Sequence, residues 1–219
     1  MQSSLFLEGL ANKTITKKEL LQKAENDPAL ISALIEGTSS PKASIRYGCG
    51  AVLMELSESQ PCKVYPYWNS IVALLDSKHR ILTWNALAVI ANLTKADNEG
   101  KFQQLFDRYY GFLGSEYMVT VANIVGNSAR IAANKPSLAN KILAELLKVD
   151  NLKTTPHLTE ECKLVIAEKT IETFDTLIPL VKNKQAIIQF AQKHQNSPRA
   201  SLQKLAQKFL NKWQAAIEN

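Results

Sequence analysis

Glycine and proline are scarce in this 219-residue chain, at 8 each. A turn-rich all-β fold draws heavily on both, so their scarcity argues against one. Cysteine is scarcer still, and Cys49, Cys62 and Cys162 are odd in number and far apart. A disulfide framework needs pairs and a zinc site needs close ligand spacing, so neither is expected. The expected state is reduced, mostly buried thiols in a cytoplasmic protein. No apolar run approaches the ~18–20 residues of a membrane span. The opening stretch MQSSLFLEGLANK has neither a basic n-region nor a small-residue cleavage site, so no signal peptide is expected. Without a secretory context, the N-x-T triplets at Asn12 and Asn92 carry no weight.

What is present describes a folded chain. Hydrophobic residues make up 46% and charged residues 21%, which excludes a disordered or collagen-like polymer. The length suits one domain, or at most two small ones. The net charge of +6 is local: residues 1–175 hold 19 basic and 19 acidic residues, whereas residues 176–219 hold 7 and 1. No acid occurs between Asp175 and Glu218.

Apolar residues recur at helical spacing. Ile45, Cys49, Val52, Leu53 and Leu56 form one stripe, and Leu82, Ala86, Val89, Ile90 and Leu93 repeat its offsets 37 residues later. A third copy is read at Met118, Ala122, Val125, Gly126 and Ala129, a further 36 on. Second helices lie between these runs. Val64, Tyr67, Trp68, Ile71, Leu74 and Leu75 match Phe102, Leu105, Phe106, Tyr109, Phe112 and Leu113 at an offset of 38, with a weaker copy at Ala139, Leu143, Leu146 and Leu147. A two-helix unit of about 36–38 residues is close to the periods of helical solenoids. Ser197-Pro198 restates Ser40-Pro41 before a matching stripe at Leu202, Ala206, Phe209, Leu210 and Trp213. Asp27-Pro28 and both Ser-Pro pairs are expected to open helices, the side-chain oxygen capping free amides and proline taking the first helical position. Gly37 and Gly114 are placed at helix ends, and Pro179 should end or kink its helix. Gly48 and Gly50 cost about 1 kcal/mol each inside a helix, a cost that close helix packing would offset. Ala122, Gly126 and Ala129 point to close approach in the third unit.

The block SPKASIRYGCGAVLMEL resembles the first helix of a HEAT repeat. Ser40-Pro41 stands at the turn, Ile45-Arg46 replaces the family's Val-Arg, and Cys49, Val52, Leu53 and Leu56 take its apolar positions. In the next copies Thr83 and Val119 depart from the arginine, and Asp76 sits one residue early. The resemblance covers residues 39–149 well and 197–213 fairly. It implies an all-α fold: a right-handed, HEAT-like (armadillo-like) α-solenoid of about five to six antiparallel helix pairs. The expected organisation is a single domain over 1–219, with N-terminal cap helices in 1–38, regular repeats in 39–149, and irregular repeats with a basic C-terminal cap in 150–219.

Catalytic motifs are missing: there is no phosphate-binding glycine loop, GxSxG, HExxH or CxxC. His157, Glu160, Glu161 and Cys162 form a mixed cluster, but their spacing matches no zinc site and is explained by an acidic helix start. No metal or cofactor is expected. Thr83, Asn85, Asn92, Asn123, Asn127, Ser128 and Arg130 lie within the first-helix runs. Their alternatives are hydrogen bonds that fix repeat geometry, exposure, or contact with a ligand. Trp84, Tyr109 and Tyr110 could stack on a base or a peptide. Tyr109 is in register with Ile71 and belongs in the core, which leaves Tyr110 the freer. HEAT-like folds include DNA glycosylases for alkylated bases, whose activity needs a carboxylate and aromatics on the concave face. By that analogy Asp107, Arg108 and Tyr110 are candidate concave-face contacts.

The basic end supplies the candidate surface for an anionic partner: Lys182, Lys184, Lys193, Arg199, Lys204, Lys208 and Lys212. Lys204, Lys208 and Lys212 are spaced i, i+4, i+8 and share a helix face. A solubilising cap explains them, but the missing counter-charge favours a partner. The leading expectation is a non-catalytic scaffold or adaptor that binds an acidic protein through its concave face or basic end. Nucleic-acid binding is the alternative. The sequence leaves oligomeric state open.

Overall fold

Four helices start with the same serine turn. The Oγ atoms of Ser40, Ser77, Ser115 and Ser197 each accept a hydrogen bond from the backbone N–H two residues on, at 3.1–3.2 Å. A helix begins three residues after each serine. This side-chain turn sets the direction in which the chain enters the helix. Both Ser-Pro pairs therefore act one step earlier than expected. The prolines sit inside the turn, and the helices begin at Ala43 and Ala200, two residues beyond them. Asp27 behaves as expected, its Oδ1 accepting from the amides of Ala29 and Leu30 at 3.0 and 3.2 Å, with Pro28 first in the helix.

The computed structural model describes residues 2–218, with side chains described over 6–213. The architecture is an all-α solenoid of helix pairs. The chain divides into two units, residues 1–104 and 105–219. The first contains α1 (Gln2–Ala11), α2 (Lys17–Ala24), α3 (Pro28–Gly37), α4 (Ala43–Ser59), the short α5 (Pro61–Val64) and α6 (Trp68–Ala73), and α7 (Arg80–Leu93). The boundary falls inside α8 (Lys101–Gly111). The second contains α9 (Met118–Asn134), α10 (Ala139–Leu146), α11 (Glu160–Leu177), α12 (Lys184–His194) and α13 (Ala200–Glu218). Helices α3 and α7 pack on α4 in the first unit, and α9 and α13 pack on α11 in the second. The intervening helices cover these, α5 and α6 against α7 and α12 against α13. Pro179 falls where α11 gives way to a short 3-10 turn at Ile178–Leu180.

Every member of the first two stripes is buried, from Ile45 to Leu56 and from Leu82 to Leu93. The third stripe is a correction. Met118, Ala122, Gly126 and Ala129 are only half-buried, and the positions equivalent by the serine turn are Thr120, Ile124, Asn127, Ser128 and Ile131. Ser115 lies 38 residues after Ser77, so the register was off by two. Thr120, Asn127 and Ser128 are polar where the other copies are apolar, and a purely apolar template slides past them.

Close approach of α7 and of α1 to α4 explains the helical glycines. A Cβ on Gly50 would lie 2.9 Å from Asn85 Oδ1 and 3.0 Å from Leu82 Cδ2, and one on Gly48 would overlap Leu10. Removing the side chain lets the neighbouring helices close in, offsetting the propensity cost. Asn92 fastens the same interface: its Nδ2 donates to Ser57 Oγ at 2.8 Å and to the Met54 carbonyl at 3.3 Å.

Candidate functional site

Three of the seven basic C-terminal candidates, Lys193, Arg199 and Lys212, have counter-charges, supplied from earlier in the second unit. Lys193 Nζ lies 2.5 Å from Asp150, and His194 Nε2 lies 3.8 Å from the same carboxylate. Arg199 donates from Nε to Glu168 at 2.8 Å and pairs with Glu161, while Ser201 adds a bond to Glu168 at 3.0 Å. Lys212 donates to both oxygens of Asp175 at 2.8 Å, and Trp213 Nε1 donates to Oδ1 at 2.5 Å. Burial alone would raise the Asp175 carboxyl; the Lys212 and Trp213 hydrogen bonds outweigh it and hold the group below its usual range.

For these three residues the missing counter-charge is a property of the sequence window, not of the surface. Lys182 contributes only its backbone amide, which donates to Asn140 Oδ1 at 2.9 Å. Lys182, Lys184, Lys204 and Lys208 are exposed, with no ion pair among the described residues. Lys204 and Lys208 share a face of α13, opposite the buried Leu202, Ala206, Phe209 and Leu210.

The three concave-face candidates separate. Asp107 and Arg108 are exposed, and Asp107 pairs with Lys141 at 2.8 Å. Tyr110, expected to be the freer tyrosine, is 2% exposed. Ser128 spends its own proton on the Ile124 carbonyl at 2.7 Å, so the Tyr110 hydroxyl donates to Ser128 Oγ at 3.0 Å. Phe106 lies against the Tyr110 ring, at 4.5 Å between centroids. Burial pushes both Tyr109 and Tyr110 well above the ordinary phenol range. Neither ring is available to stack on a ligand.

Other polar groups are also committed to the fold. His157 stacks on Tyr117 at 4.6 Å, Glu160 pairs with Lys163 at 2.9 Å, Glu161 turns to Arg199, and Cys162 meets Thr159. The mixed cluster read from the sequence is dispersed among four different neighbours. Asp97, which the sequence reading passed over, is 2% exposed and fully used. Its oxygens accept from Tyr65 Oη at 2.8 Å and from the amides of Lys101 and Phe102 at 2.9 and 3.1 Å, capping α8. An acid four residues before a helical run was its available signal.

A smaller cationic group lies in the first unit. Arg46, Lys78 and His79 border a cavity of about 560 Å³ between α3, α4 and the turn leading into α7. Arg46 donates from Nη1 to the Ser40 and Pro41 carbonyls at 2.8 and 3.2 Å and lies over the Tyr47 ring at 4.7 Å. Its Nε is buried with no hydrogen-bond partner. The Tyr47 ring meets His79 edge-on at 6.0 Å. Burial first, then the charges of Arg46 and Lys78, hold the His79 imidazole below its ordinary pKa.

No family model matches the chain, and no curated protein matches it. Solved structures do. A designed armadillo repeat protein superposes with a TM-score of 0.56 at 20% identity, covering 94% of this chain and 89% of that one. An engineered protein solved by crystallography superposes with a TM-score of 0.51 at 14% identity, covering 95% and 96%. The fold is armadillo/HEAT-like. At these identities the likeness concerns the fold, and partners and chemistry must be argued from the residues. Among the described residues no helix is long and apolar enough to cross a membrane.

Proposed function

We propose that this chain is a non-catalytic protein-interaction scaffold. The observation that supports it is how its chemistry-bearing side chains are used. Asp97, Asp107, Tyr110, Asp150, Glu168 and Asp175 each bind another residue of the same fold, so none of these groups stands poised in a cleft with its partner free. Outside those pairs, the helices carry many exposed polar residues, and stacked repeats use such faces to meet another macromolecule. The partner is a protein with an acidic surface, engaged in part through Lys204 and Lys208.

The test begins with cross-linking in cells to identify a partner, followed by binding of the two purified proteins. Charge reversal of Lys204 and Lys208 is expected to weaken the complex while leaving thermal unfolding unchanged. Undiminished binding would remove these lysines from the interface. The competing reading, nucleic-acid binding, predicts that affinity for DNA or RNA falls steeply with salt, by roughly 0.7–0.9 log units per log unit of salt for each phosphate neutralised. A clear slope of that kind, with no protein partner, overturns the scaffold reading. Release of bases from alkylated DNA that disappears in Asp107→Asn would overturn it as well.

A further inference from the structure

We propose that the cleft between α11 and α13 in the second unit is where the partner of this scaffold anchors. One leucine-sized apolar side chain of an acidic protein segment enters it, and carboxylates beside that side chain meet Lys208 and Lys204. The inference rests on the scaffold reading and narrows it to one pocket and one partner chemistry.

The first support is the size and lining of the cleft. It is a cavity of about 260 Å³ whose border comes from α11 and α13 alone. Ile171 and Phe209 are buried beneath it. The wall that an incoming group reaches is Leu205, half-buried, with the methylene stems of Lys208 and Lys212 beside it. Small-molecule and cofactor sites run from about 300 to 1,000 Å³. This cleft is smaller and suits a single side chain, and an apolar one gains most from such a wall.

The second support is the charge at the mouth. Of the four charged groups that border the cleft, Glu172, Asp175 and Lys212 are already committed. Lys212 donates to both Asp175 oxygens at 2.8 Å, Trp213 adds a third bond to that carboxylate, and Lys212 lies over the Trp213 ring at 4.8 Å. Glu172 pairs with Lys169 at 2.9 Å. These pairs cancel in charge and hold their side chains in place, so this edge is built before anything binds. Lys208 is the exception, exposed and with no ion pair among the described residues. Asp175 feels its charge, yet both Asp175 oxygens are taken. Lys204 lies one turn earlier on the same face, about 6 Å away along the helix axis, and is likewise exposed without an ion pair.

The third support is the relative weight of charge and burial. An exposed ion pair contributes little to affinity and is screened by salt. Two lysines alone would attract any polyanion and select none. Protein interfaces concentrate their affinity in an apolar side chain withdrawn from water and ringed by polar contacts. Lys208 borders the cleft itself, so its charge and the apolar wall act on the same neighbour. That juxtaposition selects a protein segment carrying an apolar residue among acids. A nucleic acid supplies the negative charge but no aliphatic side chain.

The test is an NMR titration of the full chain, following the Ile171 and Leu205 methyl groups and the Leu205 and Lys208 amides. The probe is the peptide Asp-Glu-Leu-Glu-Asp with both ends blocked. Beside it run a twin with alanine for leucine, a twin with asparagine and glutamine for the acids, and a short single-stranded DNA. The acidic leucine peptide is expected to give saturable shifts at these groups, with a dissociation constant of about 1 mM or below. The alanine twin should bind about tenfold or more weakly, the scale of burying one leucine side chain. Lys208→Gln should weaken the acidic peptide and leave the amide twin unaffected. Leu205→Gln should weaken both while melting like the parent; if that variant fails to fold, the peptide twins and Lys208→Gln decide alone. No saturable shift up to about 10 mM overturns the proposal, as does an alanine twin that binds as tightly as the leucine peptide. Tighter binding of the DNA at these residues overturns it in favour of the nucleic-acid reading. Shifts at Leu205 that grow with the chain's own concentration, without peptide, give the cleft to a second copy and overturn it too. The two readings fail separately. If a purified partner protein is lost on charge reversal of Lys204 and Lys208 but bound undiminished by folded Leu205→Gln, the scaffold reading stands and the anchor falls. If neither the peptide nor any partner protein binds, both fall.

Discussion

Asn92→Ala decides whether the asparagines inside the repeat helices are structural or ligand-facing. Asn92 is 4% exposed, and its Nδ2 donates to Ser57 Oγ at 2.8 Å and to the Met54 carbonyl at 3.3 Å, joining α7 to α4. Truncation removes both bonds, at a net of about 0.5–1.5 kcal/mol each. Ser57 still donates to Met54 O at 2.8 Å, so no new orphan donor is left on α4 and the unsatisfied-group penalty stays small. The side-chain volume lost adds a modest cavity term. The expected cost is therefore about 2–3 kcal/mol. Urea unfolding followed by tryptophan fluorescence is the assay, because Trp68 and Trp84 lie in the same unit as Asn92. A double-mutant cycle with Ser57→Ala should return a coupling of about 1 kcal/mol, as expected for directly bonded residues. A cost below about 0.5 kcal/mol with no coupling would refute the reasoning and return Asn92 to the pool of surface contacts.

Three further outcomes follow from the same geometry. Gly50→Ala gains about 1 kcal/mol of helix propensity but drives a Cβ to 2.9 Å from Asn85 Oδ1; it should destabilise, whereas Gly111→Ala, with nothing within 4 Å of the added carbon, should stabilise by about 0.5–1 kcal/mol in the same melt. Native thiol labelling should reach exposed Cys62 quickly and leave Cys49 untouched until unfolding, since burial pushes the Cys49 thiol up to about 12. The Asp150 carboxyl, which burial alone would raise, is held below its usual range by His194 and Lys193. Its contribution to stability is complete above the unfolded pKa of about 3.9 and fades as pH falls through the lower folded value. Acid unfolding of Asp150→Asn should show a shallower pH dependence in that window, and an unchanged profile would discount the pair.

The repeat was legible in the sequence wherever apolar residues carried it. Ile45 to Leu56 and Leu82 to Leu93 are buried at every expected position, and Leu202 to Leu210 repeat them. It became illegible in α9, where the register depends on Ser128 bonding to Tyr110 and not on an apolar contact. A buried hydroxyl pair carries no hydrophobic signal, so the template moved two residues to find one. The same pair explains the misplacement of Tyr110: its apolar register was readable, but its partner was not. The serine turns were half legible. Ser40 and Ser197 stood out because proline follows them, while Ser77 and Ser115 make the same bond followed by Lys78 and Glu116. The Arg46–Lys78–His79 cluster left no trace in the sequence, since 32 and 33 residues separate its parts and no composition window spans a full repeat.

The charge distribution shows why that window length matters. In a stack of repeats each helix meets the equivalent helix one repeat away, so the partner of a charged residue is found about one period along the chain. Lys193 reaches Asp150 across 43 residues, Arg199 reaches Glu161 across 38, and Lys212 reaches Asp175 across 37. Asp107 and Lys141, 34 residues apart, follow the same rule. A segment of roughly one repeat can therefore carry a large net charge and still be neutralised in space, because its counter-charges belong to the repeat before it. The run of bases after Asp175 is in part the answering half of such a ladder. Arg46 stands outside this ladder, since its guanidinium donates to the carbonyls of Ser40 and Pro41 just before its own helix. Unpaired charge in this fold is thus identified by counting one period along the chain, and by that measure Lys182, Lys184, Lys204 and Lys208 are what the ladder leaves over at the basic end.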